Sequence, residues 1–152
     1  MTSWEKPREN TIESLVHGIK FSDGVEFDLR LSDDEQLVLY HNSITEDNRF
    51  PECELAEDLP DYIKTFDELL SKKEFTREFT EEGKFVCIEL KAPHPNSGKA
   101  GGWIRGAKRL DHMQKMVDLV NTLNLTALTK PQNYLLKINL KIQRLLTIIR
   151  MN

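Results

Sequence analysis

Two acidic residues lie two positions apart in the segment GVEFDLRL, which runs from residue 24 to residue 31. Apolar and polar residues alternate in this segment. Such alternation predicts a β-strand, in which residues two apart point to the same face. Glu26 and Asp28 would therefore share a face, and hard divalent cations such as Mg²⁺ and Ca²⁺ prefer carboxylate oxygens. The alternative is an ordinary solvated strand face, and the spacing alone favours that alternative.

A second charged pair, Glu89 and Lys91, ends the segment FVCIELK. The residues from Phe85 to Leu90 are nearly all apolar, which is typical of a strand buried on both faces. Charged groups are rarely buried without partners, so an acid and a lysine at this place need an explanation. A role in a polar site and a simple Glu–Lys ion pair at a strand end explain them about equally well.

His41 ends the strand-like segment LVLYH, and a histidine can donate or accept a proton near neutral pH. Taken alone, it is more simply a loop residue at a strand terminus. Together with the two charged pairs, it completes a set of three carboxylates, a lysine and a histidine near strand ends. In parallel α/β folds, functional residues gather at the carboxyl ends of strands. Such a set would hold a cation, neutralise a phosphate and move a proton. No role is assigned to His17, His94 or His112.

Two helices in the first half of the chain have start signals. Apolar residues recur at helical spacing over residues 9–20, and Asn10 or Thr11 could cap that helix. Thr65 and Glu68 form a capping-box pattern that predicts a short helix over FDELL. The lysines and acids that follow, to about residue 84, are interpreted as a solvated segment.

Three predicted strands, at 24–31, 37–41 and 85–90, alternate with helices, and a largely acidic loop over 42–64 interrupts them. A long amphipathic helix to about residue 123 follows the last strand. Its predicted apolar stripe consists of Trp103, Ala107, Leu110, Met113 or Gln114, Val117 and Val120. Apart from the pair formed by the first two strands, this order is typical of successive strand–helix units in a parallel α/β protein.

The composition is that of one soluble globular domain, with 152 residues of which 39% are hydrophobic and 30% charged. The net charge of -4 gives no reason to expect a nucleic-acid partner. No apolar run is long enough for a transmembrane segment, and the N-terminus has no secretory signal. Cys53 and Cys87 match no metal-binding spacing and are interpreted as reduced thiols, so we expect a cytoplasmic protein.

Residues 126–152 differ from the rest of the chain in charge and composition. They contain five basic residues and no acidic one, a charge of +5 against -9 for residues 1–125. This shift predicts a boundary near residue 125, followed by a basic, helical tail rich in Leu and Ile. The tail would cover exposed core or be an out-of-frame product. Because its polar face is poorly separated, these interpretations are favoured over a helix that contacts a membrane surface or a partner.

Four segments, taken in order, resemble the glycerophosphodiester phosphodiesterases: ENTIES, GVEFDLRLSDDEQLVLYHN, TFDELL and FVCIELK. No single segment is specific, but their order and spacing agree with that family from residue 8 to about residue 92. The resemblance implies a (β/α)₈ TIM barrel of the phosphatidylinositol-phospholipase-C-like type. It also implies a Mg²⁺- or Ca²⁺-dependent hydrolase for glycerophosphodiesters or lysophospholipid-like substrates. Glycerophosphodiesters would be hydrolysed to glycerol 3-phosphate and an alcohol.

The same resemblance implies roles for five residues of this chain. Glu26, Asp28 and Glu89 would be the metal ligands. His41 would be one of two acid–base histidines, the one that serves the leaving group, and Lys91 would contact the phosphate or line the site. The sphingomyelinase D-like phospholipases share the barrel type and the use of a carboxylate-bound metal ion. The Glu-Asn-Thr helix start and the context of His41 fit them less well.

The chain departs from the family pattern in three ways. It contains no His-Arg-Gly motif, which in the family provides the other acid–base histidine and a phosphate-binding arginine. Asn42 stands where Asp is usual. A complete barrel needs about 250 residues, so residues 8–125 would form a partial barrel without its first strand and later strand–helix units. We therefore expect an incomplete gene product with impaired or absent activity. The alternative is a non-catalytic module for metal or phosphate binding or for assembly.

Overall fold

The computed structural model describes residues 6–99 and 105–127. The helices and strands, in chain order, are α1 (Ile12–Phe21), β1 (Gly24–Leu31), β2 (Leu37–Leu39), α2 (Phe66–Leu70), α3 (Lys73–Thr80), β3 (Phe85–Leu90) and α4 (Arg105–Ala127). Two short 3₁₀ turns, Pro51–Cys53 and Ala56–Asp58, lie in the loop between β2 and α2. The predicted bounds of β1, α2 and β3 are confirmed, whereas β2 is shorter than predicted.

The three strands form one sheet in the order β2-β1-β3. β1 and β3 are parallel, so that Asp28 lies opposite Glu89 and Glu26 lies opposite Cys87. β2 returns antiparallel along the last three residues of β1, because the short turn SDDEQ can join only antiparallel neighbours. The prediction that the functional residues gather at parallel strand ends is therefore wrong in part. Glu26 and Asp28 lie within β1, and β2 runs in the opposite direction.

All four helices contribute to one core on the apolar face of the sheet. Phe27 and Leu29 of β1 are completely buried in it. The helices contribute Leu15, Ile19, Phe66, Leu69, Phe75, Met113, Met116 and Val120. Because strand residues alternate between faces, burying Phe27 and Leu29 turns the charged residues of β1 to the opposite face. The fold is thus a mixed α/β layer structure with the charged residues of β1 on the face away from this core.

α1 and α2 each have a threonine N-cap that forms a capping box with the first turn of the helix. The Thr11 hydroxyl accepts the N–H of Ser14, and the Ser14 hydroxyl accepts the N–H of Thr11, both at 3.2 Å. Thr65 and Glu68 form the equivalent pair at the start of α2, as predicted. These bonds satisfy N–H groups that a first helical turn leaves without partners. Since Thr11 caps α1, Asn10 is available for a contact with β1.

The segment interpreted as solvated contains a further helix, α3. Its sequence KEFTREFT is strongly charged, and only Phe75 and Phe79, four positions apart, indicate an apolar side. Phe75 is 1% exposed and joins the core. The segment is therefore packed against the sheet rather than solvated throughout.

The contact face of α4 differs by one position from the predicted stripe. Met113, Met116 and Val120 are buried, whereas Gln114 is exposed and donates a hydrogen bond to Asp118. The predicted stripe omitted Met116. Trp103 and the side chain of Ala107 lie outside the described part of the chain.

The predicted tail, residues 126–152, lies outside the described residues from residue 128 onward. Over residues 6–99 and 105–127, no helix combines the length and the apolar character needed to cross a bilayer.

Candidate metal-binding site

The three predicted metal ligands converge on the charged face of the sheet. Glu26 and Asp28 lie on β1, and Glu89 lies beside Asp28 on β3. One carboxylate oxygen from each residue lies within 4.8 Å of the others. Asp28 is buried, Glu89 is half-buried and Glu26 is exposed, so the group opens to solvent at Glu26. We call these three residues the acidic cluster. Three carboxylates from neighbouring strands are a donor set suited to Mg²⁺ or Ca²⁺.

Asn10 fixes the orientation of Asp28. Its Nδ2 donates to Asp28 Oδ2 at 2.8 Å, and its Oδ1 accepts the backbone N–H of Asp28 at 2.9 Å. Asn10 has a φ of 56°, in the left-handed region that asparagine adopts more readily than most residues. The sequence analysis considered Asn10 only as a helix cap. No local pattern links it to Asp28, which lies 18 positions away.

Lys91 bridges the two strands of the acidic cluster. Its Nζ lies 2.9 Å from Asp28 Oδ1 and 3.1 Å from Glu89 Oε1. The ion pair between Glu89 and Lys91, considered above as an alternative, is thus present, and Lys91 forms a second ion pair with Asp28. Burial disfavours the charged ammonium, but the bonds to Asp28 and Glu89 outweigh burial and raise the pKa of Lys91. Three carboxylates and one ammonium give the group a formal charge of -2, which a divalent cation would balance.

The pKa of Glu26 is raised above its usual value. Partial burial of its carboxylate is the largest cause, and the negative charges of Asp28 and Glu89 add to it. Lys91 and His41 act in the opposite direction through their positive charges. A cation bound among the carboxylates would favour the ionised form of Glu26 and reverse this shift.

Replacing Glu26 with glutamine should change thermal stability in opposite directions with and without a divalent cation. A carboxyl whose pKa is raised on folding opposes folding once pH exceeds its unfolded value, and the full penalty is present above the folded value. At neutral pH in a chelator, Glu26→Gln should therefore melt higher than the wild type. In saturating Mg²⁺ or Ca²⁺ it should melt lower, because one ligand is lost. Differential scanning fluorimetry measures both, and a shift of the same sign and size in both conditions would exclude Glu26 as a ligand.

His41 reaches the same region because β2 runs back along β1. The N–H of Tyr40 donates to the carbonyl of Asp28 at 3.2 Å, which places the next residue, His41, beside the acidic cluster. His41 is exposed, and its Nδ1 lies 3.0 Å from Asn42 Oδ1. A cleft of ≈ 600 Å³ is lined by Glu26, Asp28 and His41 together with Asn10. Glu26, Asp28, His41 and Asn10 thus line one cleft. Glu89 lies directly beside Asp28 on the neighbouring strand.

Cys87 lies on the charged face, opposite Glu26 in the register of β1 and β3. Burial raises the pKa of its thiol, and the charges of Glu26 and Glu89 raise it further. The neutral thiol is therefore favoured, and it is a poor metal ligand. Both Cys53 and Cys87 are free.

A family model described as the Glycerophosphoryl diester phosphodiesterase family matches residues 2–85. The match spans more than half of the chain and includes Glu26, Asp28 and His41. This chain belongs to the glycerophosphoryl diester phosphodiesterase family. The family resemblance of the sequence is thereby confirmed. Glu89 and Lys91 lie just beyond the matched residues.

A solved family member has a similar fold. The crystal structure of a glycerophosphodiester phosphodiesterase from Thermotoga maritima has a TM-score of 0.54 and is 21% identical in sequence to this chain. The alignment covers 80% of this chain and 45% of that one, so this chain spans less than half the length of that relative. A mixed α/β fold consistent with part of a TIM barrel follows from this similarity. No curated protein matches the chain.

Proposed function

We propose that residues 8–125 form part of a (β/α)₈ phosphodiesterase barrel whose acidic cluster holds Mg²⁺ or Ca²⁺. The reaction would be hydrolysis of a glycerophosphodiester to glycerol 3-phosphate and an alcohol. Family membership supports the reaction class. The observation that carries the proposal is the convergence of three carboxylates within 4.8 Å, in contact with Lys91 and beside His41.

The acidic cluster fits a hard cation in donor type, number and charge. Glu26, Asp28 and Glu89 offer oxygen ligands, and the formal charge of -2 favours a divalent ion. Asn10 holds the Asp28 carboxylate, as partners of metal ligands commonly do. When bound, the ion would act as a Lewis acid that stabilises negative charge on the phosphoryl oxygens.

Lys91 and His41 would act on different parts of the substrate. The Lys91 ammonium, charged at neutral pH, would stabilise the negative charge that develops on the phosphate as water attacks. Protonated His41 would donate its proton to the leaving alcohol oxygen as the P–O bond breaks. An Nδ1–H donated to Asn42 leaves Nε2 as the nitrogen that transfers the proton. Residues 1–152 contain no His-Arg-Gly motif, whose histidine would activate the attacking water.

Turnover by this 152-residue chain should therefore be low but dependent on metal and on His41. Absence of one acid–base histidine should reduce the rate by about 10²–10⁴ relative to a complete family member. Release of glycerol 3-phosphate from glycerophosphocholine, with Mg²⁺ or Ca²⁺, measures it in a coupled assay. His41→Ala should abolish the remaining turnover.

His17 lines the same cleft but has no proposed role, so His17→Ala provides the matched control and should retain turnover. Thermal shift with each metal, measured in parallel, detects binding that occurs without turnover. Hydrolysis that persists in a chelator, or that is unaffected by His41→Ala, would contradict the proposal.

A further inference from the structure

Arg30 continues the row of charged residues on β1, two positions after Asp28, but it faces no solvent. Arg30 is only 5% exposed. Burial lowers the pKa of its guanidinium, and the charges of Glu52 and Asp28 oppose that effect. A buried charge is costly unless it makes strong interactions, so the contacts of Arg30 indicate what it does in the fold.

The guanidinium of Arg30 holds two segments that carry proposed site residues. Nη1 donates to the carbonyl of Ala92 at 3.0 Å, and Nη2 donates to the carbonyl of His41 at 3.0 Å. Ala92 directly follows Lys91, whose own N–H donates to Leu29 at 2.9 Å. One side chain of β1 therefore restrains both the backbone of His41 and the end of the strand that carries Glu89 and Lys91.

Glu52 restrains the same loop from a different segment. It lies in the 3₁₀ turn after β2, is 2% exposed, and accepts the N–H of His94 through Oε1 at 2.5 Å. Its carboxylate is also the charge that most favours the ionised form of Arg30. The segment Ala92–His94 is thus held at both ends. The buried Arg30 binds the carbonyl of Ala92, and the buried Glu52 binds the N–H of His94.

We propose that Arg30 is a positioning residue, which aligns His41 with the acidic cluster by fastening both of their supporting segments. The inference rests on the proposed function of that cluster. Arginine suits this role because its planar fork presents separate nitrogens to the carbonyls of two different segments, whereas lysine would have to reach both acceptors from a single nitrogen. Arg30 itself contacts backbone carbonyls rather than the carboxylates.

The test compares Arg30→Met with a matched variant, Lys84→Met. Lys84 Nζ also donates to two backbone carbonyls, those of Ile19 at 2.7 Å and Lys20 at 3.1 Å, but it precedes β3 at the end away from the cluster. Arg30→Met should raise the Ca²⁺ dissociation constant by about tenfold, as loss of supporting groups around metal ligands does. Lys84→Met should leave it within about twofold of the wild type, although both variants lower the melting temperature. Arg30→Lys, which keeps the charge and one contact, should give an intermediate value.

Hydrogen exchange provides a readout that does not depend on metal. The amides of Lys91 and His94 should exchange faster in Arg30→Met than in Lys84→Met. Equal Ca²⁺ affinity and equal exchange in these two variants would overturn the positioning role. A wild-type chain that binds no Ca²⁺ would instead contradict the proposed function, and the exchange comparison would still decide the role of Arg30. Should Arg30→Met fail to fold, Arg30→Lys carries the same comparison.

Discussion

Asp28→Asn should lower the affinity of the chain for Mg²⁺ or Ca²⁺ by roughly 100-fold or more, a larger loss than supporting residues produce. Asp28 is the buried member of the acidic cluster, 4% exposed, and its carboxylate receives contacts from both Asn10 and Lys91. The amide keeps the shape of the carboxylate but removes the charge that attracts the cation. It also presents an NH₂ group to one of those donors. Isothermal titration calorimetry measures the loss directly.

The control for this substitution is Asp67→Asn, which changes an exposed acid in the first turn of α2. It alters the net charge by the same amount, so a general electrostatic effect would appear in both variants. We expect Asp67→Asn to bind the cation as the wild type does. Equal losses in the two variants would mean that the cation responds to overall charge rather than to the acidic cluster.

Phe27→Ala should produce the largest loss of stability, about 3–5 kcal/mol in the free energy of unfolding. Phe27 is 0% exposed, and its ring centroid lies 5.7 Å from that of Phe66 and 6.3 Å from that of Phe75. Removing the ring leaves a cavity where β1 meets α2 and α3, and those rings cannot all move into it. Small domains have only about 5–15 kcal/mol of total stability, so the variant should be largely unfolded in mild urea.

Phe21→Ala removes the same side chain from a position that is 78% exposed, at the end of α1. Its effect on the urea midpoint should be small, because an exposed ring loses little contact on truncation. The two variants together separate burial from residue type. A similar midpoint for both would show that β1 does not pack as described.

The elements that the sequence predicted best are those whose information is local. The alternation of GVEFDLRL defines β1, and the Thr65–Glu68 box defines the start of α2. The shared face of Glu26 and Asp28 follows from the two-residue period of a strand alone. Their approach to Glu89 depends on the parallel register of β1 and β3, and the family resemblance supplied that expectation.

What the sequence left open depends on contacts between distant segments. α3 was not predicted because its charged residues hide a helix that Phe75 attaches to the core. The antiparallel direction of β2 determines how His41 reaches the cluster. The expectation that site residues lie at the ends of parallel strands did not include this direction. Asn10 and Arg30 act through hydrogen bonds across many positions, which no spacing rule encodes.

The central claim is that the acidic cluster holds a divalent cation, and Mn²⁺ tests it most directly. Mn²⁺ accepts the same oxygen ligands as Mg²⁺ and broadens the NMR signals of nearby nuclei. Titration of the ¹⁵N-labelled chain should first broaden the amide signals of Glu26, Asp28 and Glu89, and Ca²⁺ should reverse the effect. Broadening that begins instead at the exposed acidic loops, such as Asp33–Glu35, or that spreads evenly over the chain, would contradict a metal site on this face of the sheet.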